Sequence, residues 1–302
     1  MPNFDSLKSS FENLPGSIRG AIWMLFAAAM FACMGGMIRH LANENHPLVT
    51  GFFRSAIGMI LILPFMAKFG IEMLRTRRHG LLFLRGLGSG LGQAFYFMAM
   101  AFLPLADAVS LTFTAPLFGV VLAVTLLGEK FRLPRWIATM VGFAGVLIVL
   151  RPGFAEVTLV TLTPLLAAFS MSFIWVFVKM LSKTEPTERI VFYMMAYTVP
   201  TSLVPALFVW TTPGLEHVPW LIALAVVGNL GQVAMTNAYR AAEATAVFPF
   251  DFARLPFTAL IAFLAFAQIP DAWTWLGALV IFGSTVYVVR HEARSARAAA
   301  GE

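Results

Sequence analysis

The sequence predicts an all-α membrane protein, with ten transmembrane helices in two five-helix repeats inverted relative to one another. Three observations carry this. Of 302 residues, 59% are hydrophobic and 12% charged, with a mean hydropathy of +0.81. Soluble domains carry about 25% charged residues, so lipid must solvate most of this surface. The apolar residues fall in long runs, each near the roughly 20 residues a helix needs to cross a bilayer. Finally, residues 139 positions apart match: Pro47 with Pro186, Phe53 with Phe192, Gly92-Gln93 with Gly231-Gln232, Trp136 with Trp275, Phe143 with Phe282, and Arg151 with Arg290.

The first run, 18–38, follows Lys8 and is too long for the core of a cleaved signal sequence. The second, 47–67, opens on Pro47. The third, 81–102, carries Gly86, Gly88, Gly90 and Gly92, small residues that let helices approach closely. Pro104 separates it from the fourth, 105–127, and the fifth spans 134–150. The segment Phe154–Leu159 joins the halves. Runs at 158–180, 188–210, 218–239, 244–266 and 271–289 then repeat the plan. Backbone hydrogen bonds must close inside each run in hydrocarbon, which makes the runs helices. The short alternating segments of a membrane barrel are absent. The expected domains are an N-terminal segment 1–17, a first repeat 18–152, a second repeat 153–290, and a tail 291–302 with no packing of its own.

Lys and Arg set the orientation. One set of loops holds Lys68, Arg75, Arg77 and Arg78, then Lys130, Arg132 and Arg135, then Lys183 and Arg189, then Arg240. Both chain ends join this set, through Lys8 and Arg19 and through Arg290, Arg294 and Arg297. The alternate loops hold little beyond Arg39 and Arg151. The basic set is expected in the cytoplasm, with both termini there and the chain in the cell inner membrane. Five helices per copy is an odd number, so the second copy enters from the opposite face. The net charge of +6 therefore reflects topology, and a basic stripe for nucleic acid is absent.

Charges inside the runs mark candidate sites, because a charge in the bilayer interior costs about 3 kcal/mol or more. Arg54 lies inside the second run. Asp251 and Arg254 lie inside the ninth, three residues apart and so on one helix face. They are candidates for a substrate site or for a structural ion pair. Pro249 and Pro256 flank them and free backbone carbonyls beside the charges. Gln93 and Gln232 occupy matching places in the third and eighth runs, where repeat symmetry sets them across the central axis. Asn237, Asn229 and Thr236 add polarity to the eighth. Such amides either line a cavity or tie helices together. Trp175, deep in the sixth run, and Tyr96 are candidate aromatic walls.

Other chemistries lack their signatures. There is no phosphate-binding Gly-Lys-Thr loop and no nucleophile elbow. The five histidines are scattered without a metal-ligand spacing. A single cysteine, Cys33, excludes an intrachain disulfide. No cofactor is expected.

The ordered segments Leu103-Pro104-Leu105-Ala106-Asp107-Ala108, Phe113-Thr114-Ala115-Pro116, Leu127-Gly128-Glu129, Arg135-Trp136 and Gly142-Phe143-Ala144-Gly145-Val146, ending in Arg151-Pro152-Gly153, resemble the EamA family of the drug/metabolite transporter superfamily. The resemblance covers about residues 18–290 and implies two inverted repeats around a central cavity for small organic metabolites. Gly231-Gln232, Ala241-Ala242-Glu243-Ala244, Pro249-Phe250-Asp251-Phe252 and Pro270-Asp271 look like a bacterial subgroup with uptake carriers for riboflavin and S-adenosylmethionine. The second copy departs from the pattern, since Gly128-Glu129 aligns with Ala267-Gln268.

The expectation is a secondary transporter working by alternating access. Gln93, Tyr96, Trp175, Gln232, Asn237, Asp251 and Arg254 form its candidate substrate site, and Arg54 and Glu129 are gate or coupling candidates. The expected partners are a small-molecule substrate, the lipid bilayer and a coupling proton. A channel or flippase for a lipid-like molecule, and a non-transporting scaffold or sensor, are the alternative readings.

Overall fold

The computed structural model describes residues 14–67, 75–127, 133–151, 158–181, 184–241 and 248–300, and these are helical with no strand among them. Four described stretches are long and apolar enough to cross a membrane: Ile18–Leu41, Pro47–Pro64, Arg189–Leu207 and Leu215–Met235. Thr163–Ile174, Arg254–Phe266 and Ala272–Ser284 are shorter apolar helical stretches.

The helices are α1 (Gly16–Leu41), α2 (Pro47–Ala67), α3 (His79–Phe102), α4 (Leu105–Thr112), α5 (Ala115–Leu127) and α6 (Leu133–Leu150) in the first half. The second half has α7 (Thr163–Leu181), α8 (Thr187–Leu207), α9 (Val218–Ala241), α10 (Arg254–Phe266) and α11 (Ala272–Ala300). Short 3-10 turns, Leu215–His217 and Phe248–Ala253, precede α9 and α10. The bounds of α3 and α9 differ by 139 at both ends, as do those of α5 and α10.

Packing follows the same offset. α1 packs on α9 as α3 packs on α7, and α1 packs on α10 as α5 packs on α7. α2 meets α8, α4 meets α10, and α6 meets α11, each pair linking one half to the other. The main core lies at this junction, with Met24, Ile38, Phe97, Met100, Leu105 and Leu224 among its fully buried side chains.

The structure refines three expectations. The fourth run is not one helix: it breaks at Phe113-Thr114 between α4 and α5. Pro116 has no N–H, and its ring excludes the carbonyl four residues back, so the helix restarts just before it. The break is not left unsatisfied. Thr112 and Thr114 donate to the carbonyls of Val109 and Leu111 at 2.7 Å each, and Ser172 of α7 donates to Ala115 O. The described part of the ninth run is likewise a 3-10 turn followed by α10, with Pro256 in the first turn of that helix, where proline is tolerated. The tail, expected to have no packing of its own, is helical and continues α11 to Ala300, as its Ala- and Arg-rich composition favours.

The four α3 glycines divide in register. A Cβ on Gly86 would lie 2.3 Å from Tyr197 Cβ, and one on Gly90 would lie 2.2 Å from Thr201 Oγ1, both on α8. On Gly92 it would lie 2.9 Å from Ser170 Cβ, and on Gly88 3.4 Å from Phe173 and Ile174, all on α7. Two interleaved i, i+4 pairs thus seat α3 against two helices of the other half.

Candidate functional site

The two broken segments meet at a buried, charged point. Asp251 sits in the 3-10 turn and Arg254 is the first residue of α10, so the turn brings Arg254 Nη2 to 3.3 Å from Asp251 Oδ2. The Arg254 guanidinium also lies over the Phe113 ring at the opposite break, 5.0 Å from its centroid, within cation–π range. Arg254 is only 6% exposed, and its Nε has no partner. Tyr96 of α3 lies within electrostatic reach of both Arg254 and Asp251, and its buried hydroxyl is also unpartnered, as is Thr258 Oγ1 on α10. Buried polar atoms without partners are rare and call for a reason.

One turn earlier on α3, Gln93 organises a second node. Its Nε2 donates to Gly51 O and Ser55 Oγ on α2, at 2.8 Å each, while its Oε1 accepts from Arg54 Nη1 at 3.3 Å. Arg54 is 8% exposed, and among the described residues no carboxylate pairs with it. Gly228 of α9 makes room for it: a Cβ there would lie 2.7 Å from Arg54 Nη2. Asn229 donates from Nδ2 to Gly58 O at 3.2 Å, leaving its buried Oδ1 unpartnered.

Because Gln93 and Tyr96 are three apart, the two nodes share one face of α3. Among the described residues this seam holds two buried guanidiniums, Arg54 and Arg254, and one carboxylate, Asp251, an excess of positive charge. Such a seam, at breaks in the backbone, is where anionic or polar groups of a ligand find partners.

Of the residues singled out in the sequence, the structure brings Arg254, Asp251, Tyr96, Gln93 and Arg54 to this seam. Sequence reasoning did not foresee that Gln93 serves Arg54 and that its hydrogen bonds stay within the first half. Gln232 and Asn237 are half-buried on α9, and Gln232 has an interaction partner. Trp175 belongs to α7, with its side chain outside the described residues, and Glu129 lies outside them altogether. Gln268, where the second copy departs from the first, accepts a hydrogen bond from Leu105 N at 3.2 Å and so caps α4.

Three further groups escaped the sequence reading. Arg85, 7% exposed, donates to Ile190 O at 3.3 Å. It stands in the second turn of α3, inside the third apolar run, and is not singled out there. Arg39 donates to Ala101 O and Leu103 O at 2.8 Å, satisfying the carbonyls at the end of α3. His217 Nε2 lies 3.1 Å from Glu44 Oε2, and Glu216 completes a cluster whose ligand atoms lie within 4.8 Å of one another. Those three residues are far apart in the chain or too common in type to signal a cluster.

Comparison with known proteins covers most of the chain. The EamA-like transporter family matches residues 18–151 and again 158–290. A riboflavin transporter of Vibrio cholerae is 32% identical over 93% of this chain and 96% of its own length. An S-adenosylmethionine uptake transporter of Rickettsia prowazekii is 28% identical over 92% and 95%. The pseudopaline exporter CntI of Pseudomonas aeruginosa is 30% identical over 90% and 96%. A protein of known crystal structure superposes on 92% of this chain and 98% of its own at a TM-score of 0.60 with 18% identity, a likeness of fold alone. The chain belongs to the EamA-like transporter family, and is an integral membrane transporter of small molecules, not an enzyme.

Proposed function

We propose that this transporter works by alternating access in the bacterial inner membrane, as ten spans in two inverted repeats, 18–152 and 153–290, with segments 1–17 and 291–302 in the cytoplasm. Its substrate is a vitamin-, nucleoside- or amino-acid-like metabolite of the riboflavin and S-adenosylmethionine type, molecules that join a flat heteroaromatic ring to a polar tail. The observation that supports this best is the Arg254–Asp251 pair, whose arginine is buried at one backbone break and lies over Phe113 of the other. In this reading Arg254 binds the polar tail and exchanges Asp251 for it. Tyr96 donates its free hydroxyl, and Tyr96, Phe113 and Trp175 flank the ring. Arg54, held by Gln93, adds positive potential, and Gln232 and Asn237 orient the substrate from α9. The matched bounds and packing of the halves support a cycle in which the same seam opens first to one side and then to the other.

Arg254→Leu tests this. The variant should insert at wild-type levels and lose uptake of labelled riboflavin and S-adenosylmethionine. Undiminished uptake removes Arg254 from the site. The swap Asp251→Arg with Arg254→Asp separates binding from pairing, since restored uptake means that only the pair mattered.

A further inference from the structure

Where the two halves meet beyond the C-terminal end of α3, one hydroxyl stands between two carboxylates. Thr274 Oγ1 on α11 lies 2.5 Å from Asp107 Oδ1 on α4 and 2.7 Å from Asp271 Oδ1. A threonine hydroxyl has a single proton to donate. Two contacts at hydrogen-bond distance therefore need a second proton, and one of the carboxyls must hold it.

The surroundings say which. Asp271 is fixed as an acceptor: Arg151 Nη2 pairs with its Oδ2 at 2.6 Å, and Thr274 N–H donates to its Oδ1 at 2.7 Å as the first turn of α11 begins. Asp107 has no such claim on it. It is half-buried, and among the described residues it has no cation at ion-pair distance and no backbone donor. Among the described residues, the charged groups within reach of it are Asp271, at the start of α11, and Arg151, at the end of α6. α3, α7 and α10 also pack against α4, and their described residues present none within that reach. Arg39, at the end of α1, is spent on the α3 carbonyls.

We infer that Asp107 is a proton-binding site that joins the two halves of the transporter. Its carboxyl O–H donates to Thr274 Oγ, and the Thr274 O–H donates in turn to the Asp271 carboxylate. When Asp107 releases its proton to water, the hydroxyl can serve only one of two negative groups. Asp271 keeps Arg151 and the Thr274 N–H in either case, so a hydroxyl that stays on Asp271 leaves Asp107 without a donor and facing a like charge, and the contact between α4 and α11 opens. α4 is the first limb of the broken segment whose break, at Phe113, stacks on Arg254, so proton release there acts on the segment that lines the candidate substrate seam. That coupling rests on the transport reading above, whereas the proton occupancy rests on the hydroxyl alone.

Infrared difference spectroscopy of the purified, full-length protein near neutral pH tests occupancy without any substrate. Subtracting Asp107→Asn from wild type should leave one protonated-carboxyl C=O stretch, and Thr274→Val should make that band titrate at a different pH. The Asn amide can donate to Thr274 in place of the carboxyl, so this variant should keep its fold. A difference spectrum with only an ionised-carboxylate band overturns the assignment. If the Asn variant does not fold, an unchanged titration of the carboxyl band in Thr274→Val does so instead. Coupling is read separately, in proteoliposomes with labelled riboflavin and S-adenosylmethionine. The Asn variant should keep counterflow but bring its substrate only to equal concentrations on both sides under an imposed pH gradient. Gradient-driven accumulation by that variant overturns the coupling. Absence of counterflow in the wild type overturns the transport reading instead, and leaves the infrared result standing.

Discussion

Arg54 of α2 donates to Gln93 Oε1 of α3, and Gln93 is the only described side chain whose oxygen serves it. Removing one partner of a buried pair strands the other, at about 1–3 kcal/mol, whereas replacing both by apolar groups is nearly neutral. Gln93→Leu should therefore lower stability by about that much. The double variant Arg54→Met with Gln93→Leu should recover most of the loss. Thermal unfolding in detergent checks this, and additive losses would show that the two residues act independently.

The α3 glycines predict a contrast. Gly86 and Gly90 stand against the Cβ atoms of Tyr197 and Thr201 with no room for a methyl group, whereas a Cβ on Gly283 of α11 meets nothing within 4 Å. Gly86→Ala and Gly90→Ala should each cost about 1–3 kcal/mol by overpacking. Gly283→Ala should stabilise by up to about 1 kcal/mol, because alanine loses less backbone entropy in a helix. The same unfolding assay distinguishes the three.

Much of this arrangement was legible in the chain. The repeat offset of 139 fixed which helices correspond, and the charges inside apolar runs marked Arg54, Asp251 and Arg254, because only a partner or a ligand justifies them in hydrocarbon. What could not be read was which polar groups engage one another. Gln93 carries no periodic mark of being Arg54's acceptor. The break at Phe113-Thr114 was hidden because one of its carbonyls, Ala115 O, is satisfied by Ser172, more than fifty positions away in sequence. Asp107, Asp271 and Thr274 lie in two different halves and converge only when α4 meets α11.

Tyr96 offers a test that separates function from stability. Its buried hydroxyl has no partner in this structure, and an unsatisfied buried group costs about 1–3 kcal/mol. Tyr96→Phe should thus leave stability unchanged or raise it, while weakening riboflavin or S-adenosylmethionine uptake. A variant that is both less stable and fully active would assign Tyr96 to packing.

The loop between α7 and α8 predicts a pH dependence. Burial pushes the Glu185 carboxyl up, but hydrogen bonds from Arg189 at 2.7 Å and Thr76 at 2.6 Å outweigh it and hold the carboxyl below the usual carboxylate range. A carboxylate depressed in the folded state stabilises above its unfolded pKa, and that stability is lost as pH falls through the folded value. Glu185→Gln should cost under about 1 kcal/mol at neutral pH. The gap to wild type should close on acidification below the ordinary glutamate range. Unfolding temperatures across that range check it, and a gap that widens in acid would reverse the assignment.

The central claim is that one polar seam between the two halves is exposed alternately to each side of the membrane. Counterflow in proteoliposomes measures this most directly: vesicles preloaded with unlabelled riboflavin or S-adenosylmethionine are placed in a trace of the same labelled compound. For at least one of the two, a carrier accumulates label transiently above its outside concentration, saturates with substrate, and loses both behaviours in Arg254→Leu. Label that only equilibrates, in proportion to concentration and regardless of preloading, would mean a continuous pore and would contradict the account.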